Sequence, residues 1–174
     1  IDFVTSEIKN SEGYLFITRF LDIIGSLSGL ILLFPIMMLV AIAIKIEDPK
    51  GKVIFGHMRV GKDGRLFPCL KFRSMFANAE ELPQLFNILK GDMTIVGPRP
   101  IVIDELEFYG ECEDYYKAVK PGLTGLWQVS GRSDTTYDER VNLDMEYVTT
   151  RNTFKDLYII FMTAVKVLKR EGSY

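Results

Sequence analysis

An apolar run from Ile23 to Ile44, with Pro35 close to its middle, constrains this chain more than any other feature. A bilayer core is crossed by about 20 apolar residues, so the run is long enough to span one. Its flanks do not match a simple crossing. Lys9 and Arg19 precede it, and Lys45, Lys50, Lys52, Arg59, Lys62 and Arg65 follow. Basic residues favour the cytoplasmic side, and here both sides are basic. Pro35 has no N–H to donate and its ring clashes with the carbonyl four residues back, which kinks or breaks a helix. Gly25, Ser26, Ser28 and Gly29 in the first half allow close packing or rescue of freed carbonyls. Two readings stay open: a single span with a tolerated kink, or a helix that turns at Pro35 and leaves on the face it entered.

The 174 residues suit one domain plus a membrane element. Residues 1–18 read as a polar lead-in, 19–46 as the membrane helix and 47–174 as a cytosolic, membrane-associated domain large enough for a core. A net charge of −2 does not suggest a nucleic-acid partner. Cys69 and Cys112 fit no metal spacing and read as reduced thiols. A lone histidine, His57, can build neither a histidine metal site nor a Ser-His-Asp triad. Any metal would take oxygen ligands, which points to Mg²⁺ or a relative. No cleavable signal peptide is evident, and the start at Ile1 rather than Met suggests that the natural protein extends upstream.

Beyond the apolar run, residues 53–60 and 65–72 are rich in β-branched and aromatic residues around Gly61-Lys62-Asp63-Gly64, the pattern of a β-hairpin. Helix is expected over 83–90 with Gly91 as its stop, and again over 103–119, 138–148 and 154–170. Pro121 to Arg132, with three glycines, reads as a loop. Leu157, Ile160, Phe161, Ala164, Val165 and Leu168 recur at helical spacing beside basic residues; this helix either faces the core or lies against anionic headgroups. The fold class is α+β, mainly helical.

Three polar clusters could carry chemistry. Glu80-Glu81 open a helix, where acidic residues also serve as dipole partners. Arg99 stands between Pro98 and Pro100, which stiffen the backbone around one guanidinium suited to a phosphate. Lys71 and Arg73 end a strand. Carboxylates, preset cations and a membrane anchor together suggest phosphate chemistry at a lipid surface, with a metal neutralising charge. A P-loop and a Rossmann fingerprint are both absent.

These residues also carry a resemblance. Arg59-x-Gly61-x-x-Gly64-x-x-Phe67 and Lys71-Phe72-Arg73-Ser74-Met75 resemble the bacterial sugar transferases, the monotopic polyprenyl-phosphate phosphoglycosyl transferases. So do the stretches from Glu81-Leu82-Pro83-Gln84 to Met93, from Val96 to Pro100, and from Pro121 to Arg132. The likeness runs from about Arg19 to the C-terminus, and its end and the Pro121 loop are most like the hexose-1-phosphate branch. It implies transfer of a sugar-1-phosphate, galactose first and glucose next, from a UDP-sugar to undecaprenyl phosphate with release of UMP. It further implies an Asp-Glu pair with Mg²⁺, the Asp as nucleophile, and a re-entrant helix broken at Pro35 on the cytoplasmic face of the bacterial inner membrane. Glu81 then takes the Glu position and helps to hold Mg²⁺. Arg99, Lys71 and Arg73 become phosphate contacts, and Trp127 and Gln128 line the nucleotide or sugar side. A homodimer is a base-rate expectation.

The chain departs from the family at one place. The family reads Asp-Glu-Leu-Pro-Gln, whereas here Glu80 precedes Glu81, and only Phe76 to Ala79 separate the Lys-Phe-Arg-Ser-Met strand from the pair. Either a segment ending in the nucleophilic Asp is missing near 76–81, or Glu80 replaces that Asp. The second case leaves an alternative function, a catalytically inactive relative that binds lipid phosphate as a scaffold. A third possibility is a single-span anchor bearing an interaction domain without chemistry.

Overall fold

A computed structural model describes residues 11–73, 80–130 and 135–169. Residues 1–10, Ser74-Met75, the 76–79 stretch, Gly131-Arg132 and Arg170 to Tyr174 therefore lie outside the described residues.

The apolar run belongs to a single helix, α1, Glu12–Glu47. It starts well ahead of Arg19 because Ser11 caps it, the side chain accepting from the Tyr14 N–H at 3.2 Å. The helix continues through Pro35, so the break expected there is not present as an interruption. Proline removes one hydrogen bond from a helix interior, a cost of about 3 kcal/mol. Packing on both sides of Pro35, through Leu30 and Leu33 before it and Met37, Val40 and Ala41 after it, offsets that loss. Among the described residues α1 is the only helix long and apolar enough to cross a membrane.

One stripe of α1 is seated on the rest of the molecule from end to end. Tyr14 donates to Asp156 at 2.6 Å, Arg19 donates to the carbonyls of Ile88 and Leu89 at 2.8 Å each, and Asp22 accepts from Thr94 Oγ1 and the Ile95 N–H. Further along, Met37 and Ile44 close over Phe72. Gly25 and Gly29 serve close approach: a Cβ there would stand 2.7 Å from Ile95 Cδ1 and 3.2 Å from Leu85 Cδ1. The opposite stripe, including Phe16, Leu32 and Leu39, is exposed.

The hairpin forms as expected. Strands β1, Ile54–Val60, and β2, Leu66–Phe72, pair antiparallel in register from Ile54 opposite Phe72 to Val60 opposite Leu66. A short 3-10 turn, Lys62–Gly64, connects them, with Asp63 and Gly64 in the left-handed region. Helix α2, Gln84–Lys90, ends at Gly91, whose φ of 105° is open to glycine. Asn87 clamps α2 to β2, accepting from the Leu70 N–H at 2.9 Å and donating to the Pro68 carbonyl at 2.8 Å.

Two expectations need correction. The 103–119 helix is a 3-10 segment, Ile103–Cys112, followed by a short α3, Glu113–Lys117; Gly110, at φ 50° and ψ −120°, breaks the helical path inside the first of these. The described part of the Pro121 loop is instead ordered as strand β4, Gly122–Thr124, and helix α4, Leu126–Ser130. Strand β4 runs parallel to β3, Thr94–Val96. The pair is held by glycines, since a Cβ on Gly122 would lie 2.1 Å from the Gly97 nitrogen and one on Gly125 2.3 Å from the Gly97 carbonyl oxygen. Helices α5, Tyr137–Thr150, and α6, Thr153–Leu168, complete the fold; Thr136 with Glu139 and Asn152 cap them. Ile159 of α6 is fully buried with Tyr147, Val148 and Val96, while Phe154, Phe161 and Leu168 are exposed. The helix therefore faces the core along one side, as one of its two readings expects, and leaves a second apolar face exposed.

Candidate active site

The hairpin, the turn into α2 and the segment after β3 converge on one charged cluster. On β2, Lys71 faces the Glu81 carboxylate at 3.8 Å. The amide of Phe72 donates to the Glu80 carbonyl at 2.9 Å, which ties the Glu80 turn to the strand end, and the Asn87 clamp fixes the helix that follows. Glu81 keeps half of its side chain in solvent, whereas Lys71 is mostly covered. Among the described residues Glu80 makes no ion pair, and no three His, Cys, Asp or Glu side chains gather around one point. A Mg²⁺ ion commonly uses one or two carboxylates together with substrate phosphates. Glu81, with Glu80 beside it in sequence, fits such a shared site and not an all-protein cage.

Arg99 lies opposite. Its backbone is pinned by Tyr116, whose hydroxyl donates to the Val60 carbonyl at 2.9 Å and accepts from the Ile101 N–H at 3.2 Å, while Val60 N–H bonds the Ile101 carbonyl. Pro98 and Pro100 are buried on either side, and the exposed Arg99 side chain leans over the Trp127 ring at 5.7 Å. The surrounding protein, then the Arg140 guanidinium, push Arg99 below the ordinary arginine range; Glu81 works against them. A guanidinium that keeps an open face to solvent while a like charge stands beside it gains from an incoming anion.

Sequence reasoning missed part of this cluster. Arg140, nearly buried on α5, sits 4.9 Å over Trp127 and 5.0 Å over Tyr137. Arg59 of β1 pairs with Glu105 at 3.8 Å and approaches His57 Nδ1 at 3.1 Å. Burial, followed by Arg59 and Lys71, depresses the His57 pKa. Asp144 lies beneath, accepting from Tyr109 at 2.7 Å, and its burial raises its pKa to about 6. Arg59 was visible as the first residue of the Arg59-x-Gly61 motif; Arg140 and Asp144 carried no signal beyond helical spacing.

Two of the sequence candidates stand apart from these contacts. Arg73 pairs with Asp48 at 3.0 Å, its guanidinium over Gly51, and so ties the end of α1 to the hairpin. Trp127 joins Arg99 and Arg140, but Gln128 offers its carbonyl to Lys166 of α6. Among the described residues, the buried Trp127 Nε1, Gln128 Oε1 and Arg140 Nε atoms have no hydrogen-bond partner. Such orphans are uncommon in a finished core.

The bacterial sugar transferase family matches residues 13–81 and 78–170. The chain belongs to that family. It is 42% identical to an undecaprenyl-phosphate galactose phosphotransferase of Salmonella typhimurium, over 91% of this chain and 42% of that protein. An exopolysaccharide production protein, ExoY, of Rhizobium meliloti is 36% identical over 90% of this chain and 87% of its own length. A UDP-glucose:undecaprenyl-phosphate glucose-1-phosphate transferase of Klebsiella pneumoniae is 35% identical, over 90% and 41%. The chain thus spans under half the length of the first relatives it matches. The two matched segments meet at 78–81, and the alignment with the Salmonella protein covers 201 residues, more than the 174 of this sugar transferase.

Proposed function

We propose that this chain is the catalytic part of a phosphoglycosyl transferase that moves a hexose-1-phosphate, galactose first and glucose next, from a UDP-sugar to undecaprenyl phosphate. The observation that carries the reading is the Lys71–Glu81 pair, whose carboxylate acts on Arg99, together with Arg99 and Arg140 over Trp127, in a member of this family. Lys71, Arg99 and Arg140 supply the cations that a diphosphate requires. The indole of Trp127 offers a face and an unpartnered N–H to the nucleotide or sugar. Glu81 would hold a Mg²⁺ ion together with the substrate's diphosphate, and the ion would supply charge neutralisation. In the two-step route a carboxylate oxygen attacks the sugar-bearing phosphorus and the P–O bond to UMP breaks. The lipid phosphate oxygen then attacks the same phosphorus and releases the carboxylate. Product release as UMP is the readout, and Glu81→Gln is expected to abolish it; unchanged release from that variant sinks the reading.

The seating of α1 supports a helix that does not cross. Tyr14 and Ile44 touch the same domain, and about 45 Å of helix rise separates them, more than the roughly 30 Å hydrocarbon core. A full crossing would carry the domain's contacts to both sides of the membrane. A re-entrant or in-plane helix on the cytoplasmic face of the inner membrane keeps them together, and the exposed apolar faces of α1 and α6 meet the lipid.

A second reading rests on Glu80. The meeting of the matched segments at 78–81 and the longer relatives support a stretch that they carry ahead of Glu81 and this chain lacks. Where that stretch ends in the nucleophilic Asp, Glu80 belongs to the sequence before it and the nucleophile lies outside this numbering. Where Glu80 replaces the Asp it is one methylene longer, and a misplacement of about 1 Å costs on the order of 10²-fold. An inactive, lipid-phosphate-binding relative would bind UDP-sugar without releasing UMP, and a turnover assay beside a binding assay separates the two.

A further inference from the structure

A cavity of about 250 Å³ opens between the start of α1, the hairpin turn and the loop before β4. Arg19, Lys62, Lys120 and Arg151 line it, against one carboxylate, Asp22. That carboxylate is already engaged by Thr94 and Ile95. Arg19 directs its guanidinium to two neutral carbonyls, so its charge is not cancelled there. Among the described residues Arg19, Lys62 and Lys120 have no ion-pair partner. Burial, then the neighbouring Arg19, depress the Lys120 pKa, with Lys62 adding to it and Asp22 and Asp92 working against it.

This cavity is separate from the charged cluster described above. None of Lys71, Glu81, Arg99, Trp127 and Arg140 lines it. The cavity also borders the lipid-facing side of the molecule: Leu15 lines it, and the neighbouring Phe16 and Phe20 are exposed.

We propose that this cavity is a second phosphate site, distinct from the reacting one, taking the phosphate of an anionic lipid headgroup or a soluble phosphate. Several cations converging without a matching carboxylate are the arrangement that a phosphate oxygen set completes. Its position beside the exposed start of α1 brings a headgroup phosphate within reach while the acyl chains follow the apolar stripe. A filled site would hold the start of α1 at the headgroup level.

The test is a calorimetric titration of the full chain in detergent with dihexanoylphosphatidylglycerol and, separately, with inorganic phosphate. The Lys62→Gln/Lys120→Gln variant is compared with Lys50→Gln/Lys52→Gln, which removes the same charge elsewhere, and with Arg99→Gln. Saturable lipid binding should weaken at least about tenfold in the Lys62/Lys120 variant, the loss of two charge-assisted contacts. The two controls should stay within about twofold, as expected of exposed charge. Lys120→Arg should retain binding, which separates loss of the site from loss of the fold. Inorganic phosphate binding with the same dependence, without lipid binding, assigns the site to a soluble phosphate. Equal weakening in the Lys50/Lys52 control, dependence on Arg99, or no saturation by either ligand overturns the proposal. Because UMP release is not measured, the result is independent of the transfer reading.

Discussion

Two polar regions of this sugar transferase handle burial in opposite ways. Where α1 meets α6 and β3, each carboxylate is matched: Asp156 accepts from Tyr14 and Tyr147 at 2.6 and 2.7 Å, and Asp22 accepts from Thr94 and Ile95. Around Trp127 the match fails. Two guanidiniums lie over one ring, Arg99 is destabilised by the surrounding protein and then by Arg140, and three buried polar atoms have no partner among the described residues. A satisfied network fixes geometry, because removing any member leaves a buried group unpaired. An unsatisfied one keeps electrostatic potential in reserve for something that arrives later. The first region therefore reads as an anchor, the second as a place for a ligand.

The sharpest way to break this comparison is to mutate one carboxylate in each region. Glu81→Gln should reduce UMP release by at least about 10²-fold, yet leave the thermal midpoint almost unchanged, since a half-exposed ion pair contributes under about 1 kcal/mol. A large stability loss without loss of turnover would put Glu81 among the anchors. Asp156→Ala should do the reverse, removing the carboxylate acceptor of Tyr14 and leaving Tyr147 with the Val96 carbonyl alone, at a cost of about 2 kcal/mol. Thermal unfolding in detergent reads that loss, and a midpoint equal to wild type would remove the anchor assignment.

Asp144 lies on the border between the two and tests it through pH. It is buried and bonded to Tyr109 like an anchor residue, but it feels Arg140 and Arg99. Its pKa, raised by burial to about 6, exceeds the unfolded value of 3.8, so the folded state holds the proton more tightly. Its contribution to stability is therefore present in full below about pH 4 and is lost as pH rises through about 6. Asp144→Asn, neutral at every pH, should gain on wild type by about 2 kcal/mol across that window. The difference between the two unfolding curves at pH 4 and pH 7 measures it, and a difference independent of pH refutes the shift.

Much of the framework was legible because local physics decides it. The hairpin followed from two runs rich in β-branched and aromatic residues around Gly61 to Gly64, and Gly91 marked the end of α2. Ser11 went unused as a cap, so the start of α1 was set too late. The β3–β4 pair was illegible, since three residues per strand give no period and the pairing depends on glycines distant in sequence meeting face to face. The site was half legible for the same reason. Glu81, Arg99, Lys71 and Trp127 sit in compact motifs, whereas Arg140 and Asp144 reach Trp127 and Tyr109 only through the packing of α5. Arg73 looked equivalent to Lys71 in sequence, but the strand ends at Phe72 and sends it to Asp48.

The smallest effect discriminates most finely between charge and shape. Arg99→Lys keeps the positive charge but loses the planar fork and the face that lies on Trp127. If the cluster serves only as a field of positive potential, the variant should behave as wild type. If Arg99 grips a phosphate while stacked on the indole, kcat/KM for the UDP-sugar should fall about tenfold. The loss should also be larger than that of Arg73→Lys, because Arg73 is held by Asp48 away from the stacked pair. Neither change should move the thermal midpoint, since Tyr116 fixes the backbone at Val60, Arg99 and Ile101 whatever side chain Arg99 carries. Equal losses in the two variants would mean that the region around Trp127 is no more specialised than the surface beside it.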